Sequence, residues 1–250
     1  MRAFPLCLFL WLFPGCLFSA PSLSVAEADE MYARNEFRQA ATLYQAVIDS
    51  GYRSASLYYN LGNAHFKLNN LPRAILNYER AVRLAPRDEA IQFNLELSRS
   101  LIYDRIEPVP EMFLIVWARQ VRDLMSVAAW SWLSVVLFVL FLGAALSFFF
   151  RPMGRLRYLS FWAGFCFLFM SLATFTGAWF QYKHITATDA AIVFSPVVTV
   201  KSAPGEGGTN LFILHEGTRV LIDDEVGEWL EIRIPDGTRG WLRKSDVEII

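Results

Sequence analysis

The chain has 250 residues, of which 54% are hydrophobic and 19% are charged, and its formal net charge is −1. Segment 27–111 carries 12 acidic and 10 basic residues and segment 187–250 carries 11 and 6, so net positive charge lies only beside the apolar stretches. This composition excludes a protein that is soluble throughout, and the charge distribution argues against nucleic-acid binding. All three cysteines lie in apolar runs, as is typical of an exported protein that needs no disulfide: Cys7, Cys16 and Cys166.

The N-terminus has the pattern of an export signal. Arg2 is followed by an apolar run over 3–18 that is too short, and too interrupted by proline, for a good membrane span. The small residues Ser24-Val25-Ala26 offer a cleavage motif, so a signal peptide is predicted over 1–26. An uncleaved anchor, or lipid attachment at Cys16, is the alternative.

Two long uncharged stretches predict a transmembrane hairpin. No charged residue occurs over 124–150 or over 158–182, and we expect membrane helices over 127–150 and 159–182. The loop 151–158 between them holds three arginines and no acid, which by the positive-inside rule places it in the cytoplasm. Both hydrophilic segments would then lie on the periplasmic face of the bacterial inner membrane. Neither span contains an aspartate, glutamate, lysine, arginine or histidine, which argues against a transporter or pump.

The segment 107–126 ahead of the first span has an amphipathic pattern. Apolar residues recur there at helical spacing opposite charged ones, at Phe113, Val116, Trp117, Val121 and Leu124. This pattern predicts a helix that lies in the membrane interface. A simple continuation of the first span is the alternative.

Segment 27–106 repeats itself with a period of 34 residues. It contains Tyr58-x-x-Leu61-Gly62-x-x-His65, then Ala74-x-x-x-Tyr78, then Pro86, and an earlier copy of the second part at Phe37, Ala40 and Tyr44. This pattern resembles the tetratricopeptide repeat. The resemblance implies two helix pairs and a closing helix, with Gly62 and Ala74 allowing close approach, Tyr78 filling the space between helices and Pro86 ending the second pair.

Tetratricopeptide arrays bind an extended or helical peptide in a concave groove lined by the first helix of each pair. The register implies a peptide-binding groove formed by Tyr32, Tyr59, Asn63, Phe66, Lys67, Phe93, Leu97 and Ser100. Aromatic side chains around an amide, a hydroxyl and a single lysine suit a peptide with apolar anchors. The alternative for each of these residues is an ordinary core position. His65 stands where an aromatic is usual and is interpreted as a packing residue.

From residue 191 the hydrophobic period changes to two, which predicts short strands. The alternating apolar residues are Ile192, Phe194, Val198, Val200, Leu211, Ile213, Val220, Ile222, Leu230, Ile232 and Ile234. Turn signals separate them at Pro204-Gly205, Glu216-Gly217 and Pro235-Asp236-Gly237. About 60 residues of such strands favour a small closed barrel over an open sheet.

The order of these strands, ending in Gly240-Trp241-Leu242, resembles the bacterial SH3-like domain over 183–250. The resemblance implies a binding module for peptides or cell-wall stem peptides, with Trp229 and Trp241 as ligand contacts and Trp229 as the more exposed of the two. Asp223, Asp224 and Glu225 would form an acidic rim or a solvated loop.

No set of residues in the sequence has the pattern of a catalytic site, so we expect no enzyme activity, no metal and no cofactor. The three histidines, His65, His184 and His215, lie in a repeat helix, a membrane flank and a strand. The glycines over 205–208 are not followed by a helix or a lysine, as a phosphate-binding loop requires.

The sequence thus predicts a multidomain protein with an all-α tetratricopeptide superhelix, a two-helix transmembrane hairpin and a small all-β SH3-like barrel. This order resembles the BatE-type family of the Bacteroides aerotolerance operon. The resemblance implies a scaffold whose partners are membrane-anchored von Willebrand factor A proteins and a MoxR-type ATPase. The alternative is a peptidoglycan-binding anchor that recruits a wall-modifying enzyme.

Overall fold

The structure is a computed structural model that describes residues 22–107 and 109–250. It has a helical N-terminal region, two long apolar helices and a C-terminal antiparallel sheet. Residues 1–21 of the predicted signal peptide lie outside the described residues.

Five helices form the N-terminal region: α1 (Ser22–Ala33), α2 (Phe37–Asp49), α3 (Ala55–Lys67), α4 (Leu71–Leu84) and α5 (Glu89–Ser100). Side-chain caps begin three of them, because Ser54, Asn70 and Asp88 accept hydrogen bonds from the first backbone N–H groups of α3, α4 and α5. Asn35 and Asn69, with positive φ angles, form the tight turns within the two helix pairs. Helix α4 ends two residues before Pro86, which cannot continue a helix.

The helices of the second pair approach each other at Gly62. A Cβ atom at this position would lie 2.6 Å from the Cε1 atom of Tyr78, whose side chain is buried in the interface. Ala74 is also fully buried. The repeat pattern therefore reflects a packing requirement, as the sequence predicts.

Three helices follow: α6 (Phe113–Arg122), α7 (Val127–Phe150) and α8 (Arg155–Ile185). α7 and α8 form an antiparallel hairpin, and both are long and apolar enough to cross a membrane. Ser134 and Ser171 bind each other's backbone carbonyls across it, at 3.0 and 2.9 Å. Most other side chains of the hairpin are exposed, including Phe149 at 75%.

The C-terminal region is a seven-stranded antiparallel sheet. Its strands are β1 (Ala190–Val193), β2 (Val197–Lys201), β3 (Asn210–His215), β4 (Arg219–Val226), β5 (Trp229–Arg233), β6 (Arg239–Arg243) and β7 (Val247–Ile249). Their order in the sheet is β3-β2-β6-β5-β4-β1-β7. An apolar core inside the sheet includes Val200, Leu230, Ile232 and Leu242. This arrangement is consistent with an SH3-like domain.

The alternation predicted at Leu211 and Ile213 does not mark the buried face of β3. Leu211 and Ile213 are 50% and 55% exposed, whereas Leu214 is buried and Phe212 is packed against the core. The reason is the register with β2, in which Val198 lies opposite Leu214 and turns both side chains to the same face. All four residues of 211–214 are apolar, so alternation alone does not identify the buried face.

The helical region and the sheet share an interface. Ile192 of β1 is fully buried in one apolar cluster with Ala74, Ile75 and Leu76 of α4. Arg83 of α4 donates hydrogen bonds to the carbonyl oxygens of Ala187 and Ile250. Because α7 and α8 are antiparallel, the two regions lie at the same end of the hairpin.

Candidate functional site

The concave side of the helical region holds a cavity of about 270 Å³. Its lining residues come from α1, α3, α4 and α5, and they are Tyr32, Tyr59, Asn63, Phe66, Lys67, Tyr78, Asn94 and Leu97. Aromatic rings form much of the wall and Lys67 supplies a positive charge. The cavity is open to solvent and has the character of a groove.

A hydrogen-bond network forms the floor of this groove. Asn63 Oδ1 accepts hydrogen bonds from Tyr78 Oη at 2.7 Å and from Asn94 Nδ2 at 2.9 Å. Asn94 Nδ2 also donates to Tyr59 Oη at 3.0 Å. Burial raises the pKa of Tyr78, so its hydroxyl remains a donor at neutral pH.

This network leaves one half of each asparagine side-chain amide available to a ligand. None of the hydrogen bonds between the described residues uses Asn63 Nδ2 or Asn94 Oδ1. One is a donor and the other an acceptor, which is the complement of a peptide group.

The groove continues into a smaller cavity of about 110 Å³, which shares Tyr32 and Asn63 with the first. Asp29 lies at its end and accepts hydrogen bonds from Tyr44 Oη at 2.5 Å and from Asn60 Nδ2 at 3.2 Å. The groove is therefore elongated, with an acidic residue at one end and Lys67 toward the other.

The structure brings six of the eight predicted groove residues together, but not Phe93 and Ser100. Phe93 lies about 100° around α5 from Asn94 and is 67% exposed. Its counterpart 34 residues earlier, Tyr59, is covered by α5, whereas no described helix covers Phe93 in the same way. Ser100 is exposed near the end of α5 and donates to the Leu97 carbonyl.

Sequence reasoning missed Tyr78 and Asn94 as groove residues. Tyr78 was predicted only to fill the space between helices, yet its hydroxyl reaches the groove. Asn94 lies 34 residues after Asn60, which itself lines the smaller cavity, so the repeat register held a signal for it.

Trp229 and Trp241 lie on the outward face of the sheet, and both are half-buried. Trp229 of β5 is opposite Arg243 of β6, and Trp241 is opposite Glu231 on one side and Lys201 on the other. The two tryptophans thus occupy diagonal positions on neighbouring strands. Lys201 Nζ and Arg243 Cζ lie 5.5 and 5.7 Å from the centre of the Trp229 ring, within the range of cation–π interaction.

Comparison with family models identifies both regions. Residues 25–89 match the tetratricopeptide repeat and residues 196–248 match the bacterial SH3 domain. The chain joins a tetratricopeptide-repeat region to a bacterial SH3-like domain. No solved structure matches it. Both matched domains are typically non-catalytic interaction modules.

The predicted acidic rim of the SH3-like domain, Asp223, Asp224 and Glu225, is not a free surface. They lie on β4 rather than in a loop, and basic side chains neutralise two of them. Asp223 pairs with Arg233 and Arg239 at 3.0 and 3.3 Å, and Glu225 pairs with Lys244 at 2.7 Å.

Each of the two matched modules has one histidine. His65 packs inside the tetratricopeptide region, and His215 of the SH3-like domain contacts the tetratricopeptide region. His65 of the tetratricopeptide region is buried, and burial, assisted by the charge of Arg73, lowers its pKa to about 4. His215 of β3 lies 2.8 Å from Asp104. Within residues 22–107 and 109–250, no three histidine, cysteine or acidic side chains are grouped to hold a metal ion.

Proposed function

We propose that this protein is a non-enzymatic scaffold, anchored in the bacterial inner membrane, that holds protein partners on the periplasmic face. The observation that carries this proposal is the open tetratricopeptide groove, whose floor presents one amide donor and one amide acceptor beside aromatic walls. The SH3-like domain supplies a second binding surface around Trp229 and Trp241.

The ligand of the groove is a peptide with apolar anchors. Apolar side chains of the peptide can pack against the rings of Tyr32, Tyr59 and Phe66. Its backbone can bind the remaining amide N–H of Asn63 and the remaining amide oxygen of Asn94. Lys67 adds a contact for an acidic or carbonyl group of the ligand.

Two observations support the two-pass topology. The modules contact each other directly, which requires them to lie on the same side of a membrane crossed by α7 and α8. Arg151, Arg155 and Arg157 lie at the other end of the hairpin, where the positive-inside rule favours the cytoplasm. The two binding surfaces then have a fixed geometry, so a partner held by one meets the other at raised effective concentration.

The resemblance to the BatE-type family supports a role in a Bat/MoxR-type complex with functions in aerotolerance or envelope stress. Its proposed partners are membrane-anchored von Willebrand factor A proteins and a MoxR-type ATPase. The competing function is a cell-wall anchor, and the outward tryptophans of the SH3-like domain favour it, since they offer a surface for wall peptides.

Affinity purification of the detergent-solubilised protein tests the proposal. The groove variant carries Phe66→Ala and Leu97→Ala, and the matched control carries Phe93→Ala and Leu101→Ala, which are exposed and outside the cavity. We expect membrane protein partners to co-purify with the wild type and the control and to be lost from the groove variant. Identical partners from all three folded proteins would contradict the groove, and wall fragments without protein partners would favour the anchor.

A further inference from the structure

A carboxylate of the protein itself pairs with two cations that lie near the Trp229 ring. Glu206 Oε2 lies 2.7 Å from Lys201 Nζ, and Glu206 Oε1 accepts a hydrogen bond from Arg243. These are the two cations that flank the Trp229 ring. The outward face thus contains an aromatic surface with a lysine and an arginine converging on one carboxylate, the arrangement that proteins use to bind anionic groups.

The loop that carries Glu206 contacts Lys201 a second time, because the Glu206 carbonyl oxygen accepts a hydrogen bond from Lys201 Nζ at 3.2 Å. Within the loop, Gly208 packs closely against Ala203. The loop joins β2 to β3 and is closed at its base by hydrogen bonds between Ser202 and Thr209. At Gly205 and Gly207 no atom lies within 4 Å of where a Cβ would be. The Glu206 side chain is 68% exposed, so it can leave Lys201 and Arg243 without breaking any core contact.

The other arginines of this face are held differently. Arg233 and Arg239 pair with Asp223, which belongs to strand β4 of the sheet. Lys201 and Arg243 instead share a partner on a glycine-containing loop. Of these four cations, Lys201 and Arg243 are therefore the two that a movement of the loop alone would release.

We propose that the Trp229 face is a binding site for a peptide carboxylate, which Glu206 occupies in the free protein and an incoming ligand displaces. The carboxylate is either a chain terminus or an acidic side chain of the ligand, and the apolar part beside it packs on Trp229. This inference rests on the proposed binding role of the SH3-like domain and adds the chemistry of its ligand.

Calorimetric titration of the full-length, detergent-solubilised protein tests the proposal. The probes are N-acetyl-Ala-Ala with a free C-terminus, the same dipeptide as its C-terminal amide, and N-acetyl-Glu amide, whose only carboxylate is in the side chain. The variants are Glu206→Gln, Arg243→Gln, Trp229→Ala and, as a charge-matched control, Glu216→Gln, which is exposed in the turn between β3 and β4.

We expect Glu206→Gln to bind a carboxylate probe about three- to tenfold more tightly than the wild type, the range that one or two exposed ion pairs supply. The Glu216→Gln control should bind the probes as the wild type does. Arg243→Gln should lose the preference for a carboxylate over the amide. The carboxylate probe that binds more tightly shows whether the ligand offers a chain terminus or an acidic side chain. If the free-acid and amide dipeptides bind equally well, and Trp229→Ala abolishes the binding of both, this inference is overturned. The Trp229 face would then remain a binding surface without a carboxylate site. No binding of any probe by Glu206→Gln would overturn it as well, whereas the groove is judged separately by co-purification.

Discussion

Asp104 joins the tetratricopeptide region to the SH3-like domain through His215. Its Oδ2 atom accepts a hydrogen bond from the His215 backbone N–H at 2.7 Å, and its Oδ1 atom lies 2.8 Å from His215 Nδ1. Thr218 donates a third hydrogen bond, at 2.6 Å. Partial burial opposes ionisation of Asp104, but the hydrogen bonds from Thr218 and His215 outweigh it and hold its pKa below the ordinary value.

We predict that Asp104→Ala loosens the contact between the two modules. The substitution leaves the His215 N–H and the Thr218 hydroxyl without their acceptor, which costs about 1–3 kcal/mol. Hydrogen exchange should become faster over 101–107 and 215–218 and remain unchanged in β5. Asp49→Ala, at an exposed position on α2, is the control. Unchanged exchange in both segments would show that Asp104 does not hold the modules together.

The packing of each module could be predicted from the sequence, because it depends on residues at short, regular spacing. Gly62, Ala74 and Tyr78 follow the tetratricopeptide pattern and meet in the structure. Burial follows the two-residue period in β2, β5 and β6. It does not do so in β3, where four consecutive apolar residues hide the alternation, or in β1, whose four residues are all buried.

The contact between the modules could not be predicted in the same way. Asp104 and His215 are separated by 111 positions, and neither belongs to a pattern that marks a buried pair. The predicted groove residues lie together where one repeat follows another, as at Tyr59, whereas Phe93 lies outside the cavity because the array has no further described repeat to cover it. Glu206 lies in a loop whose proline and glycines predict a turn but give no sign of a bound carboxylate.

Gly62→Ala should destabilise the tetratricopeptide region although alanine is the better helix former by up to about 1 kcal/mol. The new methyl group would lie 2.6 Å from the Tyr78 ring, which is buried and whose hydroxyl is bound to Asn63. Such overpacking costs about 1–3 kcal/mol, measurable as a lower urea midpoint. Combining it with Tyr78→Leu should recover part of the loss. A higher midpoint for Gly62→Ala alone would mean that the helices are not in close contact.

Gly240 of β6 provides a second prediction about a glycine. A Cβ atom at Gly240 would collide with Val200 and lie 3.0 Å from the Lys201 carbonyl oxygen, so β2 and β6 could not keep their separation. We expect Gly240→Ala to cost about 1–3 kcal/mol in the free energy of unfolding. Gly207→Ala, where no atom lies within 4 Å, should change stability by less than about 0.5 kcal/mol. Equal effects of the two substitutions would contradict the close approach of the strands.

Mild acid should weaken the tetratricopeptide region through His65. Burial lowers its pKa to about 4, against 6.5 for the ordinary side chain, and its Nδ1 atom has no hydrogen-bond partner among the described residues. Between these two pH values the unfolded chain binds a proton that the folded chain does not, so stability falls as the pH is lowered through this window. The loss from pH 7.5 to pH 5 should be about 2 kcal/mol.

The test compares urea unfolding of wild-type protein and His65→Phe at these two pH values. Phenylalanine keeps an aromatic ring at the position and cannot take up a proton, so the variant should lose less stability on acidification, by about the 2 kcal/mol assigned to His65. Other groups titrate equally in both proteins and cancel in the difference. If the two proteins lose the same free energy of unfolding, His65 titrates in the folded protein as it does in the unfolded chain, and its interpretation as a buried, neutral packing residue is wrong.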